Sequence, residues 1–227
     1  MELIPRLSLS DPKQPDKYIG ERRVWEEAED KLRKILKKRV KQFEEIEGEA
    51  AFYGPKIDFE AKDSLGREWQ LATIQLDFNM PRRFQISYID EEGKKVTPVM
   101  IHRAVAGSFE RFMSILIESY AGAFPLWLSP YQVQVIPVGN DFLEPAKKLV
   151  AELEAAGIRV WFDDLNETVG YKIRKGEKQK LPYMLVVGEK EAKSKDLNVR
   201  VRGQKEVETI NRKKFIEHVV EEIKGKK

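Results

Sequence analysis

Tyr53-Gly54-Pro55-Lys56 sets a phenol and an ammonium in a tight turn, and a strand-like stretch downstream carries Gln70, Thr73, Gln75 and Asp77 between Trp69 and Phe78. Neutral hydrogen-bonding groups among aromatic rings suit a small polar ligand, and a polar strand face turned to solvent suits none. Residues two apart on a strand share a face, so Thr73, Gln75 and Asp77 point one way and Ile74, Leu76 and Phe78 the other. Gln70 has the parity of the second set and joins Gln75 only if a bulge or bend intervenes. His102 follows a strand and precedes the Gly107-Ser108 helix start. A lone imidazole there serves as a metal ligand or as a structural histidine. Gly107 permits either close backbone approach to a ligand or a tight strand-to-helix turn. Arg111, one turn into the helix, suits a phosphate because helix dipole and guanidinium add, and it equally suits an exposed surface.

The charge distribution adds a second candidate. Residues 130–227 hold 20 Lys+Arg against 16 Asp+Glu, net +4, and the remainder holds 21 against 22, net −1. The basic excess concentrates in 172–180, where Lys172, Arg174, Lys175, Lys178 and Lys180 face only Glu177. Such a stripe is either a phosphate-binding surface or a solvated helix face.

These residues need elements to hold them. The sequence predicts a strand in LIPRLSL, an amphipathic helix over 21–40 and strands over 56–62, 67–78 and 84–89. Glu91-Glu92-Gly93 marks a hairpin turn, and a helix follows over 108–120 with Phe112, Met113 and Leu116 in its apolar stripe. Ser129-Pro130 reads as a domain boundary. Beyond it, strands near 133–138, 158–162 and 183–187 alternate with helices near 142–156 and 169–180. A hairpin-like stretch at 197–210 and a C-terminal helix complete the chain. The expected architecture is therefore α+β followed by α/β: a mainly antiparallel sheet over 1–128, then a small α/β domain with a mainly parallel sheet over 129–227.

Composition excludes several classes. The 227 residues include no Cys and two His, so no disulfide scaffold, thiol nucleophile or Cys-based zinc site lies within the chain. No apolar run approaches the ~18 residues of a membrane span, and MELIPRLSLSDPKQP has no signal-peptide pattern, so a cytoplasmic location is expected. No Ser/His/Asp set, Walker loop or dinucleotide glycine fingerprint appears.

Taken in order, the blocks EAAFYGPKID (49–58), WQ (69–70), TIQLDF (73–78), PVMIHR (98–103), GSFERF (107–112), NE (166–167) and PYMLVVG (182–188) resemble threonyl-tRNA synthetase. The first five resemble the C-terminal part of its class II catalytic domain, with 107–112 as motif 3. The last two resemble its anticodon-binding domain. The resemblance implies a threonine–tRNA ligase that forms threonyl-adenylate from ATP with Mg2+ and transfers it to tRNA(Thr). It implies that Tyr53, Lys56, Gln70 and Gln75 line the threonine and adenylate pocket, and that Gly107 and Arg111, with Gln75, serve ATP. It gives His102 as one of three Zn2+ ligands, and Asn166, Arg174, Glu191 and Arg200 as anticodon contacts. Motifs 1 and 2 and the other two zinc ligands of the family are absent from this chain. The expectations are thus a C-terminal portion inactive alone, a partner chain carrying motifs 1 and 2, and a homodimer in the complete enzyme. The alternative is a non-catalytic, synthetase-like tRNA-binding module.

Overall fold

A computed structural model describes residues 3–226, and the chain divides into two compact units between Ser119 and Tyr120. The first unit runs β1 (Leu3–Leu9), α1 (Arg22–Arg39), β2 (Glu44–Glu47), β3 (Lys56–Lys62), β4 (Glu68–Asp77), a short α2 (Met80–Arg83), the strands β5 (Tyr88–Ile89) and β6 (Lys95–Val96), β7 (Met100–Ala104) and α3 (Phe109–Tyr120). Its main sheet has the order β2-β1-β3-β4-β7, with β1 and β2 parallel and the other pairings antiparallel.

Strand alternation decides which face the helices cover. Leu7, Leu9 and Ile57 pack with Leu32 and Leu36 of α1, joined by Ile74 and Leu76, while Ala61 and Leu71 pack with Ile115 of α3. α1 presents Trp25, Ala28, Leu32 and Leu36 at helical spacing on one buried stripe. Both helices therefore cover the apolar face, and the intervening strand residues form a polar face on the other side.

The expected strand over 84–89 is largely replaced. The carboxylate of Asp77 accepts the backbone N–H groups of Asn79 and Met80, which starts a helical turn at Met80-Pro81. Gln85 then takes φ +55°, and only Tyr88 and Ile89 pair, with β6. The apolar residues that suggested a longer strand, Phe84 and Ile86 among them, are exposed.

The second unit contains β8 (Val133–Pro137), α4 (Leu143–Ala155), β9 (Val160–Phe162), α5 (Val169–Lys178), β10 (Tyr183–Val187), α6 (Glu189–Lys193), β11 (Asp196–Val201), β12 (Val207–Asn211) and α7 (Arg212–Lys224). The sheet order is β12-β11-β10-β8-β9. β9, β8 and β10 are parallel, as α-helical crossovers require, and the β11–β12 hairpin extends them antiparallel, giving a mixed sheet. Val133, Val135, Leu149, Leu153, Leu185, Phe215 and Val219 form one core with α4 and α7. α5 lies over the opposite face, where Gly176 sits against Gln134 and Met184: a Cβ there would fall 2.2 Å from Gln134 Oε1.

Candidate functional site

Pairing of β3, β4 and β7 sets Lys56 opposite Gln75 and Gln75 opposite His102, so the three form a row on the polar face. Asp58 and Thr73 form the next row. Beyond it the register slips: Phe59 faces Ala72 but Glu60 faces Gln70, leaving Leu71 as an extra residue. This bulge reverses the parity of β4 and brings Gln70 onto the face of Gln75. Gln70 Nε2 then donates to Asp58 Oδ1 at 2.5 Å. The Tyr53 hydroxyl donates to Gln75 Oε1 at 3.0 Å. Asp58, 2% exposed, also accepts from Lys56 Nζ at 2.6 Å and from Ser8 Oγ at 2.9 Å. It is the hub of this face, and sequence reasoning missed it. The alternation Lys56-Ile57-Asp58 was the available signal. Further along, burial pushes Glu60 above the usual carboxylate range, opposed by Arg6 at 3.7 Å.

At the other end of the row His102 Nε2 lies 2.9 Å from Asp77 Oδ2, and the Tyr53 ring sits edge-on to the imidazole with centroids 6.2 Å apart. Burial opposes ionisation of Asp77, but hydrogen bonding to His102 and to the Met80 and Asn79 amides outweighs it and holds the carboxyl below its ordinary range. Among the described residues no three His, Cys, Asp or Glu side chains gather to hold a metal ion. His102 is one imidazole donor, so the residues present do not fit the zinc that the resemblance implies.

Gly107 and Arg111 meet the site at the bulge. Gly107 has φ +56°, and a Cβ there would lie 2.8 Å from the Leu71 carbonyl, so only glycine lets this turn pack on the bulged strand. Arg111 is exposed, donates to the Gln70 carbonyl at 3.4 Å, and rests 5.3 Å from the Trp69 ring centroid. Among the described residues, no hydrogen bond joins it to Tyr53, Gln75 or His102.

In the second unit Asn166 is exposed in the loop before α5 and Arg174 is exposed on that helix. Glu191 and Arg200 line one cleft with Asn198, Val169 and Ile173. The Glu191 carboxylate is 9% exposed and already engaged, accepting from the Gly188 amide at 3.0 Å and from Asn198 Nδ2 at 2.5 Å. The cationic stripe expected over 172–180 is not continuous. Lys172 is 3% exposed and donates to the Asp163 carbonyl at 2.8 Å. Lys175 lies 5.0 Å from the Trp161 ring centroid and 3.9 Å from Glu167, and Lys180 donates to the Ala121 carbonyl. Arg174 and Lys178 remain as exposed cations that form no ion pair among the described residues. Helical periodicity explains this: Lys172 and Gly176, four apart, share the face that packs on the sheet.

Residues 15–120 match the family model for the tRNA synthetase class II core domain (G, H, P, S and T), and residues 132–222 match that for an anticodon binding domain. Together with the bulged sheet of the first unit and the mixed sheet of the second, these matches define a portion of a class II aminoacyl-tRNA synthetase. Threonine–tRNA ligase from Petrotoga mobilis is 51% identical over 212 residues, covering 93% of this chain and 33% of that protein. The Thermotoga neapolitana ligase is 49% identical over 213 residues, covering 94% of this chain and 33% of that protein. A solved structure of the RNA binding domain of threonyl-tRNA synthetase from Cryptosporidium parvum superposes with a TM-score of 0.85 at 35% identity, covering 97% of this chain and 55% of that one. The chain belongs to the threonyl-tRNA synthetase family. It spans about a third of the length of the curated relatives it matches.

Proposed function

We propose that the chain supplies a threonine–tRNA ligase with one wall of its aminoacylation pocket, from residues 1–128, and with its anticodon reader, from residues 129–227. The reaction is formation of threonyl-adenylate from threonine and ATP with Mg2+, then transfer to tRNA(Thr) in the cytoplasm. The observation that carries the reading is the polar face, where strand pairing aligns Lys56, Gln75 and His102, Tyr53 donates to Gln75, and a bulge turns Gln70 in beside them. Tyr53 and Gln75 would hydrogen-bond the polar atoms of threonine and its adenylate. Asp58 holds the Gln70 amide and the Lys56 ammonium in fixed orientations, so little reorganisation is needed when charge develops. Gly107 lets the turn before α3 approach closely, and Arg111 would extend from Trp69 to an ATP phosphate. In the second unit Asn166, Arg174, Glu191 and Arg200 offer amide, guanidinium and carboxylate groups suited to unstacked base edges. The zinc chemistry that the resemblance implies would need ligands beyond His102. The complete enzyme is taken as a homodimer, with motifs 1 and 2 on a further segment or chain.

A second reading, a non-catalytic tRNA-binding module, is favoured by the lone imidazole and the absence, among the described residues, of a metal-ligand set. Threonine-dependent pyrophosphate exchange separates the two. The chain alone should show none above a His102→Ala control, and exchange restored by adding the motif 1 and 2 portion in trans supports the ligase reading. No restoration favours the module. Anticodon reading is tested with two tRNA(Thr) transcripts differing only in the anticodon. Arg200→Ala should cost about 1–3 kcal/mol on the cognate transcript and little on the other. Equal losses would reduce Arg200 to a phosphate contact.

A further inference from the structure

One buried side chain ties the loop that carries Asn166 to the helix that carries Arg174. Lys172 lies on the face of α5 that packs on the sheet, and its Nζ donates to the Asp163 carbonyl at 2.8 Å. Asp163 follows β9 directly and is itself fixed to β8. Its amide donates to the Val135 carbonyl at 3.0 Å, and its carboxylate accepts from Gln134 Nε2, also at 3.0 Å. Gln134 Nε2 reaches the Lys172 carbonyl at 3.4 Å, so β8, the end of β9 and α5 close a ring of hydrogen bonds. Lys172, Asp163 and Gln134 are all buried. Residues 164–168 run between the two ends that Lys172 joins, with Asn166 in their middle. An ammonium is costly here, because an apolar side chain would pack on the sheet with no charge to desolvate. What it supplies is a directional bond, and direction sets how α5 is seated. Arg174, two residues on, lies about 200° round the helix axis and is exposed. Val169 and Ile173 of the same helix line the cleft that holds Glu191 and Arg200. A turn of α5 or a slack loop would shift Asn166 and Arg174 relative to that cleft.

We propose that Lys172 is a positioning residue for anticodon recognition: by clamping Asp163 to α5 it fixes the 164–168 loop and the rotation of the helix, and so the places from which Asn166 and Arg174 meet RNA bases. The purpose rests on reading Asn166 and Arg174 as base contacts; the clamp itself does not. Neither the family matches nor the resemblance assigns a role to Lys172.

Lys172→Met in the full chain tests both parts, since methionine fills the space and cannot donate. Without RNA, hydrogen exchange is read at the Glu167 and Tyr171 amides, which donate within the loop and the first turn of α5. Exchange there should quicken roughly tenfold or more, the effect of a hydrogen bond from a charged group, while the amides of α7 keep their wild-type rates. Unchanged exchange overturns the clamp. With RNA, affinity is measured for two tRNA(Thr) transcripts differing only in the anticodon. The wild-type preference for the cognate transcript should fall roughly tenfold in Lys172→Met, with affinity for the other held within a factor of about two, because phosphate contacts are untouched. Equal losses on both transcripts, or a preference retained, overturn the positioning role. Val219→Ala, a cut into the core at α7, should lower stability and keep the preference. A preference lost there as well would reduce the effect to general destabilisation and overturn the proposal. If Lys172→Met does not fold, the wild type decides the clamp. The Lys172 ammonium should give a resolved 1H–15N signal at neutral pH, and a signal lost to solvent exchange overturns it. A wild type with no preference between the transcripts would end the anticodon reading and, with it, the purpose of the clamp, while the exchange result would stand.

Discussion

The Lys172 ammonium lies beneath α5 with one acceptor, the Asp163 carbonyl, in a pocket that also holds the buried Asp163 and Gln134 side chains. An ion in that position cannot exchange places with the counterions of an RNA, whatever its formal charge. Lys172→Met should therefore leave the slope of log affinity against log salt for tRNA unchanged, whereas Arg174→Ala and Lys178→Ala should each flatten it by about one. Filter binding across a salt series reads this directly, and a flattened slope for Lys172→Met would place that ammonium at the surface. Asp63 is the counterpart in the first unit. Its carboxylate accepts from the Trp69 indole at 2.9 Å, from Arg67 Nε at 2.6 Å and from the Leu65 and Arg67 amides. The Trp69 bond, then those to Arg67 and Leu65, outweigh burial and hold Asp63 far below the usual carboxylate range. A depressed pKa stabilises the fold above the unfolded value of ~3.9 and loses that contribution as pH falls below it. Asp63→Asn should thus lower the melting temperature at neutral pH, with the gap to wild type narrowing in acid. A gap independent of pH would remove the charge from the explanation.

At the scale of elements, the site depends on how a turn and a bulge meet β4. The turn before β3 lies so close to the end of β4 that a Cβ on Gly54 would sit 1.9 Å from the Leu76 carbonyl, and the Leu76 amide donates to the Pro55 carbonyl at 3.1 Å. Gly54→Ala must push this turn away and carry Tyr53 off Gln75. A loss of about 1–3 kcal/mol in chemical unfolding is expected, the range for forced overpacking; a neutral substitution would mean that the turn yields freely. Much of this architecture was legible from periodicity. Alternation over 56–62 and 73–78 assigns the two faces of the sheet, and apolar spacing locates α1, α3, α4 and α7 to within a few residues. The odd spacing of Gln70 and Gln75 required an irregularity if they were to share a face, but parity cannot say which residue is extruded. That depends on Gly107 packing against the Leu71 carbonyl from 36 positions away. The region 84–89 misleads because apolar residues raise strand expectation without a partner strand, while the capping role of Asp77 is invisible until β4 ends there. Lys172 misleads for a different reason: counting charge ignores which side of α5 faces the sheet.

At the scale of the whole chain, each unit carries its own core. Residues 120–227 bury Val133, Val135, Leu149, Leu153, Leu185, Phe215 and Val219 around a five-stranded sheet. A chain of about a hundred residues with a core of this kind is large enough to fold alone. The charge divides along the same line, since residues 120–129 carry no charged side chain and the second unit keeps 20 cations against 16 anions, net +4. Electrostatic attraction to a polyanion should accordingly belong to the second unit, with the net −1 of the first adding none. The segment 120–227, produced by itself, should unfold in one cooperative thermal transition and bind tRNA with the affinity and salt slope of the full chain, within a factor of about three, the effect of ~0.65 kcal/mol. Calorimetry of the segment and salt-series binding of segment and full chain in parallel provide the check. A segment that folds but binds much more weakly would mean that the first unit, with its exposed Arg111, contributes to the nucleic-acid contact. A segment that fails to fold would mean that the core of the second unit needs the first for its completion.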